Sequence, residues 1–132
     1  MIAVDTSVAA DFLQGVASPH VQLLQDKMTS DQVCMAAVVI TELLSNPTSP
    51  RLLQEFLHEV TPLEIETGYW ERAGKNRAKL KAMKLKAKTA DALIAQSCID
   101  HDVPLLTRDP DFRHYAKLCG LKLAIISAAG KK

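Results

Sequence analysis

Met1-Ile2-Ala3-Val4-Asp5-Thr6-Ser7 opens the chain with an unbroken apolar run that stops at an acid. Residues apolar at every position, not every second one, mark a short strand covered on both faces, as in a parallel sheet. Asp5 then stands at the strand's carboxyl end. The hydroxyls of Thr6 and Ser7 are placed to cap a helix through Val8-Ala9-Ala10-Asp11-Phe12-Leu13, which Gly15 stops. Val103-Pro104-Leu105-Leu106-Thr107-Arg108 repeats the arrangement and delivers Asp109. If both runs are parallel strands, both carboxylates lie where open α/β sheets bind their ligands.

Between these runs the pattern alternates. Ser18-Pro19 starts a helix, Val33-Cys34-Met35-Ala36 is a second buried strand, and Val39, Ile40, Leu43 and Leu44 recur at helical spacing with Pro47 beyond them. Ser49-Pro50 opens a helix with Leu52, Leu53, Phe56 and Leu57 inward. Glu59-Val60-Thr61-Pro62-Leu63 reads as an edge strand, where proline is tolerated. A long helix is expected from about Ile65 to about Met83, with Tyr69, Ala73, Asn76, Leu80 and Met83 on one face. Thr89 caps the next helix, Pro110 starts another that Gly120 ends, and Leu121 to Ile126 supplies a last strand. Strands alternating with helices predict a parallel sheet covered on both faces. The 132 residues read as one domain, 1–132, with no repeat or linker.

A net charge of +1 makes no argument for or against a nucleic-acid partner, and the few aromatics require an aliphatic core. Cys34, Cys98 and Cys119 are too far apart for a metal-binding or redox pair and read as small core residues in a reducing compartment. No signal peptide and no run of transmembrane length are visible, so the expected location is the cytoplasm, without a membrane partner. His20, His58, His101 and His114 show no ligand spacing and read as surface residues.

Two more acids stand at comparable junctures: Glu42 in Ile40-Thr41-Glu42-Leu43-Leu44, and Asp91 in Thr89-Ala90-Asp91-Ala92-Leu93-Ile94-Ala95. Each alone has an ordinary explanation, as a helix cap, first-turn dipole partner or exposed glutamate. Together they pose an electrostatic question. Carboxylates gathered at about 4 Å repel by roughly 4 kcal/mol per pair at an intermediate dielectric. A hard divalent cation removes that cost, and an oxygen-only donor set suits Mg²⁺ or Mn²⁺.

Asp5-Thr6-Ser7 after an N-terminal strand, Thr41-Glu42-Leu43-Leu44, Asp91-Ala92-Leu93-Ile94-Ala95, and Leu106-Thr107-Arg108-Asp109 through Phe112 resemble, in order and spacing, the acidic motifs of PIN-domain nucleases. Chain size and motif spacing are similar to those of VapC-type toxins of toxin–antitoxin pairs. The resemblance implies a three-layer α/β/α fold with a doubly wound parallel sheet of about five strands. It further implies that Asp5, Glu42, Asp91 and Asp109 cluster as catalytic residues. Asp5, Asp91 and Asp109 would be metal ligands, with Glu42 acting on the metal or its waters and Ser7 and Thr107 orienting carboxylates. Asp111 could be a further member of the cluster, but is read as a surface acid. An endoribonuclease activity leaving 5′-phosphate and 3′-hydroxyl ends, a cognate antitoxin and a homodimer are the remaining implications. One departure stands out: Ala82-Met83-Lys84-Leu85-Lys86 occupies the place where members often carry a glycine turn.

From Arg72 to Lys88 there are eight basic residues and no acid. Arg77, Lys81, Lys84 and Lys88 would form one basic stripe for RNA phosphates if the helix persisted, with Arg108 and Arg113 assisting. Two readings compete with the nuclease. A receiver domain for phosphotransfer also binds Mg²⁺ with acids at strand ends, but it needs an acidic pair after its first strand, where this chain has Asp5 alone. A non-catalytic scaffold binding RNA or protein is the other.

Overall fold

A computed structural model describes residues 1–46 and 50–126. In chain order the elements are β1 (Ile2–Val4), α1 (Thr6–Leu13), α2 (Pro19–Thr29), β2 (Val33–Met35), α3 (Ala37–Ser45), α4 (Pro50–Glu59), β3 (Thr61–Pro62), α5 (Tyr69–Ala82), α6 (Thr89–Asp100), β4 (Leu105–Leu106) and α7 (Phe112–Cys119). The strands form one parallel sheet in the order β3-β2-β1-β4. The chain winds outward from β1 through β2 to β3, then returns to place β4 on the other side of β1. The sheet therefore has its topological switch between β1 and β4, the point where doubly wound sheets open a crevice.

Residues apolar on both faces of β1 and β2 are buried, with Ala3 and Val4 wholly inaccessible. Leu24, Val39, Leu80, Ile94, Phe112 and Tyr115 from the surrounding helices complete a mainly aliphatic core. Pro62 lies on the edge strand, as its missing N–H requires. The fifth strand is reduced to a parallel bridge between Leu105 and Leu123, held by Leu105 N to Lys122 O at 2.9 Å and Ala124 N to Leu105 O at 2.8 Å.

Several helix boundaries differ from the expected ones. Asp5, not Thr6 or Ser7, is the N-cap of α1, accepting from Val8 N at 3.0 Å. A carboxylate one residue earlier reaches the same free amide, and the two hydroxyls are used elsewhere. Helix α5 starts at Tyr69 because Gly68 holds φ +84 before it, which leaves Ile65 outside. Lys88 occupies the N-cap position of α6 without a side-chain bond, so Thr89 is its first residue and not its cap. Ser18 caps α2 as expected, through Val21 N at 3.1 Å. Pro110 precedes α7 by two residues, with Asp111 at the N-cap position. Leu52, expected inward, is exposed, and so are Leu44 and Met83 from the helically spaced sets. The expectations for Pro47 and Ser49 lie outside the described residues.

Helices α1, α2, α5 and α6 end with one hydrogen-bond pattern. After α5, Lys84 N donates to Lys81 O at 2.9 Å and Leu85 N to Leu80 O at 3.0 Å. The residue past the cap is left-handed each time: Gly15, Asp31, Lys84 and Asp102. Only the first is glycine, the residue this turn favours. Cys34 and Cys98 are buried and Cys119 is half-buried, all three as free thiols. No described helix is long and apolar enough to cross a membrane.

Candidate metal centre

The carboxyl ends of β1 and β4 meet through side chains. Asp5 is 3% exposed. Its carboxylate accepts from Ser7 Oγ at 2.7 and 3.0 Å, from Val8 N, and from the hydroxyl of Thr107. That hydroxyl in turn accepts from Asp109 N at 3.0 Å. A relay of Asp109 amide, Thr107 hydroxyl and Asp5 carboxylate thus ties the loop after β4 to the end of β1. Burial raises the Asp5 carboxyl above its usual range against the pull of its three donors, and the charge of Asp109 adds to the rise.

Asp91 enters from the first turn of α6, where the helix dipole favours an anion. It converges with Asp109 and Asp111 from the segment between β4 and α7. One carboxylate oxygen from each of the three lies within 4.8 Å of the others. Asp111 is therefore part of the cluster, the alternative to its reading as a surface acid. Its backbone N–H donates to Asp109 Oδ1 at 2.9 Å, a local turn that folds two acids two residues apart onto one spot. The alternation Asp109-Pro110-Asp111 was the available signal. Asp5 and Glu42 are not members of this set but face it. Burial and the charge of Asp109 push the Asp91 carboxyl up to about 6, Lys88 offsets part of this, and Glu42 and Asp111 add to it. Glu42, on α3, accepts from the hydroxyl of Thr6, a partner the sequence reading missed.

The donor set is chemically suited to a hard cation. Opposite ligands of an octahedral Mg²⁺ lie about 4.2 Å apart, from metal–oxygen distances near 2.1 Å. The three carboxylates need only small side-chain shifts, or an intervening water, to share one ion. Their mutual repulsion, which adds to burial in raising the Asp91 pKa, is the force an ion would relieve.

The basic residues are arranged differently from the expected stripe. Helix α5 ends at Ala82 and Lys84 is left-handed, so Arg77, Lys81, Lys84 and Lys88 do not share a helical face. Arg77 Nε donates to Ala87 O at 2.7 Å and braces the following loop. Arg108 grips Asp11 with two nitrogens, at 2.6 and 3.2 Å, pinning the loop after β4 to α1. Arg113 Nε donates to Pro110 O at 3.3 Å. Lys86, absent from the expected set, has its Nζ 3.7 Å from Asp111 Oδ2. Arg108, Arg113 and His20 line an open cleft of about 250 Å³ beside Asp109.

Comparison with known proteins agrees with this architecture. Solved structures that share the fold include VapBC2 from Rickettsia felis bound to a DNA fragment from their promoter (TM-score 0.75, 18% identity, 94% of this chain and 98% of that one), FitAcB from Neisseria gonorrhoeae (0.69, 17%, 95% and 97%), and DNA-bound VapBC from Salmonella typhimurium (0.70, 16%, 94% and 98%). No curated protein sequence matches the chain. The family model for the PIN domain matches residues 2–118. With the parallel sheet, its switch point and the acids gathered there, this match establishes that the chain belongs to the PIN-domain family.

Proposed function

We propose that the chain is a metal-dependent endoribonuclease and the toxin of a toxin–antitoxin pair. The observation that carries the reading is the convergence of Asp91, Asp109 and Asp111 within 4.8 Å, faced by Asp5 and Glu42, at the switch point of the sheet. Asp91, Asp109 and Asp111 would hold Mg²⁺ or Mn²⁺. Asp5, gripped by Ser7, Val8 and Thr107, fixes the floor of the site and can join the ion directly or through water. When bound, the ion supplies Lewis acidity toward a phosphodiester oxygen and lowers the pKa of a bound water.

The remaining chemistry falls to side chains. Thr6 holds Oε1 of Glu42 and leaves Oε2 to orient the attacking water and accept its proton. The new bond joins water oxygen to phosphorus, the bond to the 3′ oxygen breaks in line, and the 3′ oxygen leaves with a proton from solvent. The products are a 5′-phosphate and a 3′-hydroxyl, and the RNA 2′-hydroxyl takes no part as nucleophile. The VapBC assemblies among the structural relatives support a small cognate antitoxin as partner, and a homodimer belongs to the same reading.

The deciding experiment is cleavage of bulk RNA with Mg²⁺ or Mn²⁺, compared with EDTA and with Asp91→Asn. Divalent-dependent cleavage that the variant loses, with 5′-phosphate ends on the fragments, supports the proposal. Cleavage that persists in EDTA, or 2′,3′-cyclic ends, overturns the mechanism. No cleavage under any condition favours the scaffold reading.

A further inference from the structure

The segment between α5 and α6 is built to hold two lysines beside the acids. It begins at the left-handed Lys84, and Leu85 N is bonded to Leu80 O at 3.0 Å. Arg77 then anchors Ala87 O at 2.7 Å. Leu85 and Ala87 pack against the core, whereas Lys86 and Lys88 are exposed. This alternation puts both lysines on the opposite side of a pinned segment from the core. Lys86 reaches Asp111, at 3.7 Å. Lys88 lies close enough to Asp91 to offset part of the rise in its pKa.

Among the nearby arginines, Arg108 grips the Asp11 carboxylate, and Arg77 and Arg113 each donate Nε to a backbone carbonyl. A divalent ion among Asp91, Asp109 and Asp111 would put two positive charges beside the Lys86 ammonium. The ammonium would then lose its attraction to Asp111 and seek another anion. A phosphate of the nucleic acid is the anion such a site receives.

We propose that Lys86 is a transferable counter-cation, paired with Asp111 in the metal-free protein and passing, with Lys88 beside it, to a backbone phosphate of bound RNA once a divalent ion takes the carboxylates. The inference rests on the nuclease reading. It requires two effects of opposite sign from one substitution: removing the lysine favours the ion and disfavours the substrate.

Lys86→Gln is compared with Lys86→Arg, Lys27→Gln and the wild type. Mn²⁺ affinity is measured by titration calorimetry without RNA, and KM, kcat and the salt dependence of KM on an RNA oligonucleotide. Lys86→Gln is expected to bind Mn²⁺ about three- to tenfold tighter, because a competing charge is gone. It should raise KM about three- to tenfold with kcat changed far less, and flatten the salt dependence by about 0.7, one phosphate contact. Lys86→Arg should restore both, and Lys27→Gln, at the far end of the sheet on α2, should change neither. Manganese affinity unchanged or weakened in Lys86→Gln overturns the inference, as does a KM that Lys86→Gln leaves unchanged. A wild-type protein that cleaves no RNA overturns the nuclease reading instead, and the manganese titration still decides whether Lys86 competes with the ion.

Discussion

Asp5 is buried and Asp91 half-buried, both at helix starts, yet their surroundings assign them different energetics. Asp91 is held at about 6, against an ordinary 3.8, by partial burial first and then by the like charge of Asp109. An acid whose folded pKa is raised binds its proton more tightly in the folded state. Its ionisation therefore costs no stability below about 3.8, and the full cost is present once the pH has risen through about 6. In EDTA, Asp91→Asn should be more stable than the wild type at pH 7 by roughly 1–3 kcal/mol. The gain should vanish near pH 4, as read from urea unfolding at the two pH values. A variant less stable than wild type at pH 7 would show the acid to be structural. Asp5 has three donors and caps α1. Asp5→Ala should cost about 1–2 kcal/mol for the lost cap alone.

Thr107 is the link between the two strand ends. Thr107→Val, nearly isosteric, deprives Asp5 of a donor and leaves the Asp109 amide without its acceptor. A loss of about 1–3 kcal/mol is expected, together with loss of activity, while Thr107→Ser should recover most of both. Equal damage from both variants in unfolding and cleavage assays would assign the effect to packing, not to the hydroxyl.

Among the elements, the shared helix ending carries the clearest test. Lys84 adopts the left-handed conformation that the expected glycine would take without strain, and the turn forms regardless because its two hydrogen bonds and the Leu85 packing hold it. Lys84→Gly should stabilise the protein by about 0.5–1 kcal/mol, less than the full left-handed penalty because glycine also loosens the unfolded chain. A rise in the urea midpoint at unchanged m-value is the readout. The same turn explains why the basic stripe was illegible in sequence: alternating helical steps through Arg77, Lys81, Lys84 and Lys88 look continuous until a non-glycine residue turns left-handed. Strands β1, β2 and β4 were legible because apolar residues at every position leave few alternatives, and Pro62 marked its own edge. Asp5, Asp91 and Asp109 could be placed at element ends from the pattern of burial. Asp111 was legible only as an alternative, because its place depends on one side-chain-to-backbone hydrogen bond within a short turn.

Taken as a whole, the metal-free molecule carries charges with opposing pH demands. Asp5 and Asp91 are raised, so they lower stability as pH climbs above about 4. Asp100, on α6, is lowered: burial pushes it up, but hydrogen bonds from Arg72 on α5 and from Gln96 outweigh that. Its contribution is present above 3.8 and is lost as pH falls through its folded value. Metal-free Tm should therefore be highest near pH 4 and decline toward pH 7. Mn²⁺ at a hundred times its Kd should add about 2.7 kcal/mol at pH 7 and move the optimum upward. An optimum that EDTA leaves unchanged would mean that no ion occupies the acids.

The placement of the sulfur atoms has a practical outcome. Cys34 lies on β2 and Cys98 on α6, both sealed in the interior, and burial lifts the Cys34 thiol to about 11 and that of Cys98 further. Neither can form a reactive thiolate in the closed protein at neutral pH. A thiol-reactive dye should modify at most Cys119 in the native protein and take up two further equivalents only when the sheet itself opens. The chain carries its own clock for global breathing, read by counting labels, with no foreign probe added to the fold.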